Sequence, residues 1–332
     1  MRNSWHMMAI GIWLAGCALI AAEPTTATVD EATAMAGTAR KPQDDAELRR
    51  WLPIMDHHRL TPREISIATG MSEDETAAAR ARLGPLPKVS TSGRNLVVLP
   101  YPGGRHPRIG FLDGAVGPQR ETKVSVFTPW DAASYVVVDV PEAIWSNLGL
   151  LYLAHTHVPT VWSRQAIELE PLEWRTAPGG GLEIERVLPN GVAFGARANV
   201  ETDGVRFELW LRNGTSATLS DLRVQNCVML RQAEGFAEQT ETNKRYRAPF
   251  AAARDATGQR WIITAWEGCH RAWGNAPCPC LHSDPQFADC GPGETRRLRG
   301  WLSFYEGREI EAEFDRLAAR FDWLRANEEP AP

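Results

Sequence analysis

Several signatures are missing from this chain of 332 residues. It has no glycine-rich phosphate loop, no dinucleotide fingerprint and no G-x-S-x-G nucleophile elbow. Nucleotide-dependent transfer, dinucleotide redox chemistry and serine-elbow hydrolysis therefore have no support in the sequence. Positive charge is not in surplus: 36 Lys and Arg stand against 41 Asp and Glu, a net charge of −5. That balance gives no electrostatic ground for a nucleic-acid partner or for an anionic lipid surface. The N-terminal apolar run, Met7 to Leu14, falls far short of the roughly 20 residues that a membrane-spanning helix needs. No internal repeat is found. Tyrosine is scarce, with 5 against 10 Phe and 13 Trp.

What is present is globular in composition, with 43% hydrophobic and 23% charged residues. The length suits one large β-domain with a small appendage. The Trp excess supplies flat faces and N–H donors of the kind that sugar rings and interfaces use, although most Trp residues are expected in the core. Residues 1–22 read as an export signal, with Arg2 as the charged end and the Met7–Leu14 run as its apolar centre. Its end, Leu14-Ala15-Gly16-Cys17, resembles the bacterial lipobox, which implies lipidation at Cys17 and a cell-envelope lipoprotein. The alternative is cleavage near Ala22 and a freely secreted protein. In both cases the mature chain lies outside the cytoplasm, and any membrane contact runs through the lipid anchor alone. Residues 23–43, rich in Ala, Thr and Pro, read as a tether.

Residues 44–87 read as a small helical unit. Leu48, Trp51, Leu52 and Met55 follow helical spacing. Thr61-Pro62-Arg63-Glu64 and Ser72-Glu73-Asp74-Glu75 are capping boxes, and Gly84 is a helix stop. The unit resembles a helix-turn-helix. DNA binding is excluded because Glu73, Asp74 and Glu75 would meet the phosphates. A structural or docking role is expected, with an envelope protein as the candidate partner.

Residues 96–332 read as mainly β. The strands expected include Val124–Phe127, Tyr135–Val138, Leu150–Val158, Trp261–Trp266 and Arg299–Tyr305. In Val205–Arg212 strict alternation sets Val205, Phe207, Leu209 and Leu211 on one face. Asn213-Gly214 then suggests a hairpin returning through Leu222–Leu230, with Asn226 on the apolar face as a core amide or a pocket donor. Pro141 to Leu148 is expected to form a helical turn. A closing helix over 309–325 carries Ile310, Phe314, Leu317, Phe321 and Leu324 on one side. The fold class expected is a large antiparallel β-sandwich, supersandwich-like, with an N-terminal helical unit and a C-terminal helix.

The densest chemistry falls in 267–290, expected as a stapled loop over one end of the sandwich. In an exported chain Cys269, Cys278, Cys280 and Cys290 are expected to form two disulfides. Cys278 and Cys280, one residue apart, cannot join each other without strain, and Cys227 is left as a buried thiol. Zinc is the rival reading, but these spacings do not match the C-x₂₋₄-C pairs of structural zinc sites. His155 and His157 share a strand face and suit general acid/base work or a divalent metal completed by Glu168, Glu170, His270 or His282. No metal or other cofactor is assigned. Glu267 with His270 is the pair expected for catalysis, and Arg271, Trp273, His282, Trp162 and Asn226 are the expected ligand contacts.

The Val205–Arg212 strand, the Asn213-Gly214-Thr215 turn, the Leu222–Leu230 return and the Gly291-Pro292-Gly293-Glu294 turn give Gly195–Gly307 a pattern that resembles galactose-mutarotase-like proteins. That resemblance implies a sandwich in which a His and a Glu act on a sugar, a role carried over here to His155 or His157 with Glu267. The run Arg105-His106-Pro107-Arg108-Ile109-Gly110-Phe111-Leu112-Asp113-Gly114 and the segment Cys269–Cys290 resemble a group of exported, planctomycete-like bacterial proteins, which has no activity to transfer. The function expected is binding of, or action on, a carbohydrate or small polar ligand in a Trp- and His-lined cleft. The alternatives are an envelope docking protein and a metalloenzyme built on the paired histidines.

Overall fold

The computed structural model describes residues 35, 37–90, 96–109, 120–155 and 158–324. The segment read as an export signal, with Cys17, and His157 lie outside the described residues. Among the described residues three helices come first: α1 (Asp45–His57), α2 (Pro62–Thr69) and α3 (Glu73–Leu83). Both capping boxes form: the Thr61 N–H reaches Glu64 at 2.7 Å and the Ser72 N–H reaches Glu75 at 2.7 Å, each reciprocated. Leu48, Trp51, Leu52 and Met55 are buried on the inner face of α1, as their spacing predicts.

Among the described residues fifteen strands follow: β1 (Val97–Pro100), β2 (Lys123–Phe127), β3 (Tyr135–Ser146), β4 (Gly149–Leu153), β5 (Arg175–Thr176), β6 (Leu182–Val187), β7 (Ala193–Val200), β8 (Gly204–Arg212), β9 (Val224–Met229), β10 (Lys244–Arg247), β11 (Phe250–Arg254), β12 (Arg260–Trp266), β13 (Cys269–Asn275), β14 (Cys280–Pro285) and β15 (Thr295–Glu306). The first sheet has 7 strands in the order β1-β2-β3-β9-β14-β13, with β4 beside β3. The second has 8, in the order β10-β11-β12-β15-β8-β7-β6-β5. All pairings are antiparallel, and the two sheets form the β-sandwich expected from the sequence.

The main core lies between the sheets, where Val136, Val138, Val224 and Val228 of the first meet Phe207, Leu209, Leu211 and Leu302 of the second. Each side chain of that size contributes about 1.5–3 kcal/mol on burial. Period-two alternation gives each sheet a second, outward face, and each of these is covered in part. The helical unit sits on the first: Arg120 lies 4.2 Å over the Trp51 ring, and His58 is packed edge-on against Phe127 and Tyr135 at 5.0 Å each. Helix α4 (Ile310–Arg320) covers the β11, β12 and β15 part of the second, with Phe314 stacked on Phe250 at 4.7 Å. In the second sheet Gly300 pairs directly with Trp266, and a Cβ at Gly300 would fall 2.5 Å from the indole. Gly195 stands against Trp210 in the same way.

Four expectations are corrected. Residues 141–148 do not form a helical turn: Tyr135–Ser146 is one strand, and Pro141 falls in the register shift between Asp139 and Ala143, where a missing N–H removes no ladder bond. The chain after Asn213-Gly214 does not fold back as a hairpin; β8 pairs with β7 and β15, while β9 crosses to the other sheet and pairs with β3 and β14. Alternation fixes which face is buried, not which strand is the neighbour. The segment 267–290 is not a roofing loop, because β13 and β14 are a hairpin built into the first sheet. The closing helix is shorter than 309–325, ending at Arg320 before a separate turn over Asp322–Leu324.

Candidate functional site

The outward face of the first sheet, beyond the helical unit, carries an unusual load of buried polar groups. Across four strands the register sets Asp139 opposite Cys227 and His282 opposite Trp273. The β9–β14 register, Cys280 with Met229 and Leu281 with Val228, brings Cys227 against His282 one step further on. Strand alternation therefore places Cys227, Cys280, His282 and Asp284 together, away from the intersheet core.

Glu142 is the centre of this face and is 2% exposed. Its Oε1 meets the Arg108 guanidinium and, at 2.6 Å, Nε2 of His155. Its Oε2 accepts from Gln225 at 2.8 Å and lies 3.9 Å from Nδ1 of His282. Burial raises the Glu142 pKa, but the Arg108 charge and the His155 hydrogen bond outweigh it and hold the carboxyl well below its usual range. Burial lowers the His155 pKa against the pull of Glu142, with the Arg108 charge adding to the fall. The pair is thus an ionised carboxylate and a neutral imidazole at neutral pH.

On the other side of Glu142 lies a sulfur cluster. Ligand atoms of Cys227, Cys280 and His282 all fall within 4.8 Å of one another, and Sγ of Cys280 is 3.2 Å from Nε2 of His282. The Cys278 thiol is near enough to that of Cys280 to interact with it electrostatically. Nδ1–H of His282 donates to the Asn226 carbonyl at 2.9 Å, and Trp273 stacks flat on the ring at 4.1 Å. The indole N–H of Trp273 donates to Asp284 at 2.6 Å, and Arg271 lies 4.1 Å over the indole. Burial pushes the Cys227 pKa up, yet the Cys280 hydrogen bond and the His282 charge bring it down to about 7. Burial raises that of Asp284 to about 6, against the His282 charge and the Trp273 bond.

His155 also lines an open cavity of about 1210 Å³. Glu121, Tyr152, Trp162, Glu168, Glu170 and Arg186 are among its walls, and Gly37 to Arg40 close one side. Arg40 is fastened to Glu173 at 2.8 Å and to the Leu172 carbonyl at 2.7 Å.

His155 and His282 converge on Glu142. Glu267 does not join them: it is held by Arg299 at 2.7 Å on the open end of β12. His270 is exposed, with Arg223, Arg271 and Asp221 as its charged neighbours, and makes no hydrogen bond or ion pair with Glu267. The expected Glu267–His270 pair is therefore not formed. Arg271 and Trp273 reach the cluster only as a stack over His282, and Trp162 is buried in the cavity wall with its N–H on the Leu151 carbonyl at 2.7 Å. The side-chain amide of Asn226 is buried with no hydrogen-bond partner. The two expected disulfides are absent. Cys269, Cys278, Cys280 and Cys290 are free thiols, as is Cys227. Cys290 lies apart in a bridge with Leu219, and its thiol donates to the Glu294 carbonyl at 3.3 Å.

Sequence reasoning missed Glu142, Arg108 and Gln225, and it left Cys227 outside the cluster. The available signal was the pattern Cys278-x-Cys280-x-His282, which on a strand puts all three side chains on one face.

No protein-family model matches the chain, and no curated protein matches it. Among solved structures, the Slr1438 protein from Synechocystis sp. PCC 6803 is similar at 12% identity and a TM-score of 0.33, over 56% of this chain and 88% of that one. A putative kojibiose phosphorylase from the human microbiome is similar at 6% identity and a TM-score of 0.34, over 58% of this chain and 27% of that one.

Proposed function

We propose that this is an exported protein that binds a neutral carbohydrate in the cavity beside His155. The observation that supports the reading is the placement of His155, hydrogen-bonded to the buried Glu142, at the wall of a cavity of about 1210 Å³. That volume falls at or above the size of ordinary small-molecule sites, large enough for a sugar of one or two rings. Its walls mix planar charged groups, Glu121, Glu168, Glu170, Arg40 and Arg186, with the apolar Leu153, Val158 and Ile167. Sugars offer hydroxyl edges to the first kind of group and C–H faces to the second. The opposite charges of the lining nearly cancel, which suits an uncharged ligand better than an ionic one. If turnover accompanies binding, the neutral His155 held by ionised Glu142 is the general acid/base.

Calorimetric titration of the full chain with neutral mono- and disaccharides tests the reading. A sugar is expected to bind, and Glu168→Ala at the exposed rim is expected to weaken it roughly tenfold. Folded protein that gives no heat with any sugar overturns it. A reducing-sugar or mutarotation assay separates turnover from plain binding, and His155→Asn should abolish the first while sparing most of the second. Export rests on the N-terminal signal, and the mass of the mature N-terminus checks it: acylated Cys17 or a start near Glu23 supports it, and an intact Met1 in cell extracts refutes it. The apolar faces of the helical unit are occupied by its own core and by the sandwich, so no docking role is proposed for it.

A further inference from the structure

We infer that Cys227, Cys278, Cys280 and His282 hold a zinc ion that rivets the β13–β14 hairpin to the middle of the first sheet. The inference is independent of the sugar cavity. Zinc–sulfur bonds of about 2.3 Å and zinc–nitrogen bonds of about 2.0–2.1 Å at tetrahedral angles set neighbouring ligand atoms roughly 3.3–3.8 Å apart. Cys227, Cys280 and His282 have ligand atoms inside 4.8 Å of each other, and the Cys280–His282 contact is 3.2 Å. Cys278, 1% exposed and two residues before Cys280, lies beside this trio but outside its 4.8 Å limit, and is the side chain that would supply the fourth ligand.

The imidazole is set as a ligand requires. Its Nδ1–H is committed to the Asn226 carbonyl at 2.9 Å, which turns Nε2 toward the sulfurs, where an incoming ion would displace its proton. Trp273, stacked at 4.1 Å, fixes the plane of the ring. All four side chains are buried, so no position is open to substrate, and the ion would be structural rather than catalytic. Three thiolates and one imidazole around a divalent ion leave one negative charge, and the Arg108 guanidinium acts electrostatically on all three sulfurs. Three cysteines with one histidine select zinc over the oxygen-loving divalent ions.

The ion also has mechanical work to do. The β9–β14 ladder is short, with two paired positions, Cys280–Met229 and Leu281–Val228. A metal held by Cys227 on β9 and by Cys280 and His282 on β14 cross-links the two strands beside that short ladder. It would also keep three neighbouring thiols from oxidising outside the cytoplasm.

Elemental analysis of the full chain is expected to find about one zinc per chain, released when thiol-modifying mercurial is added. Replacement by Co²⁺ should give sulfur-to-metal charge-transfer absorption and the visible bands of a tetrahedral ion. Cys227→Ser and His282→Gln should each weaken the metal at least tenfold, whereas Cys290→Ser should leave it unchanged. If the variants fail to fold, the Co²⁺ spectrum of the unaltered chain still decides. Two results overturn the inference. One is a folded, fully reduced chain that takes up no zinc or cobalt. The other is peptide mapping that finds Cys227 disulfide-bonded to Cys280 or Cys278 in protein isolated from its native compartment.

Discussion

Acidification should loosen the helical unit from the sandwich through one side chain, His58. It is 1% exposed at the end of α1. Its Nδ1–H donates to the Ile54 carbonyl at 2.7 Å, and Nε2 accepts the Ser125 hydroxyl at 2.7 Å, which uses both nitrogens of a neutral ring. Tyr101, Phe127 and Tyr135 box it at centroid distances of 6.3, 5.0 and 5.0 Å. Burial lowers its pKa from 6.5 to about 3; the Ile54 bond resists, and the His57 and Arg105 charges add to the fall. The folded pKa is the depressed one, so the unfolded chain takes up the proton first. The stability that depends on neutral His58 is complete above about pH 6.5 and is lost as pH falls toward about 3. At about pH 5 the unfolded ring is some 1.5 units past its pKa while the folded ring is not yet protonated, a loss of about 2 kcal/mol. His58→Gln removes the titration. It should be less stable than the parent by about 1–3 kcal/mol near pH 7.5, and the gap should close as pH falls to about 5. Urea unfolding at the two pH values, followed by tryptophan fluorescence with Trp51 in α1 as a reporter, measures both slopes. Equal losses in parent and variant would refute the reasoning.

Three further outcomes follow from contacts described above. Glu142→Gln leaves Arg108 buried without its countercharge and should cost about 3–5 kcal/mol in denaturant unfolding; a change below about 1 kcal/mol would mean that water reaches the pair. Gly300→Ala drives a methyl into the Trp266 ring and should destabilise by about 1–3 kcal/mol, with a shifted near-ultraviolet circular dichroism signal from the displaced indole. Phe314→Ala empties the space against Phe250 and should cost about 3–5 kcal/mol; a thermal midpoint within about one degree of the parent would show that α4 is dispensable.

The sequence was most legible where a local rule acts alone. The capping boxes at Thr61 and Ser72, the Leu48–Met55 stripe and the Val205–Leu211 alternation each determine their own neighbourhood, and each is found in place. It was least legible where strands choose partners. The pairing of β9 with β14 joins residues more than fifty positions apart, and nothing in either segment names the other. For that reason Cys227 was set aside as a spare thiol, and the loop cysteines were assigned to one another. Glu142 was hidden twice over, by a proline that suggested a turn and by a bulge that brings it into the buried face. Glu267 and His270 stood out because they are close in sequence, but the end of a strand separates them: one faces Arg299, the other Arg223.

Arg40 has a consequence for any shortened form of this protein. It clamps Gly37 to Arg40 against Glu121 and Glu173, so the chain's own entry strap forms one bank of the cavity. A version trimmed to begin at Lys41 would keep both sheets and all three α-helices of the first unit, yet present a wider basin with Glu121 and Glu173 each short of one guanidinium. Ligand screens run on such a version would be probing a different vessel.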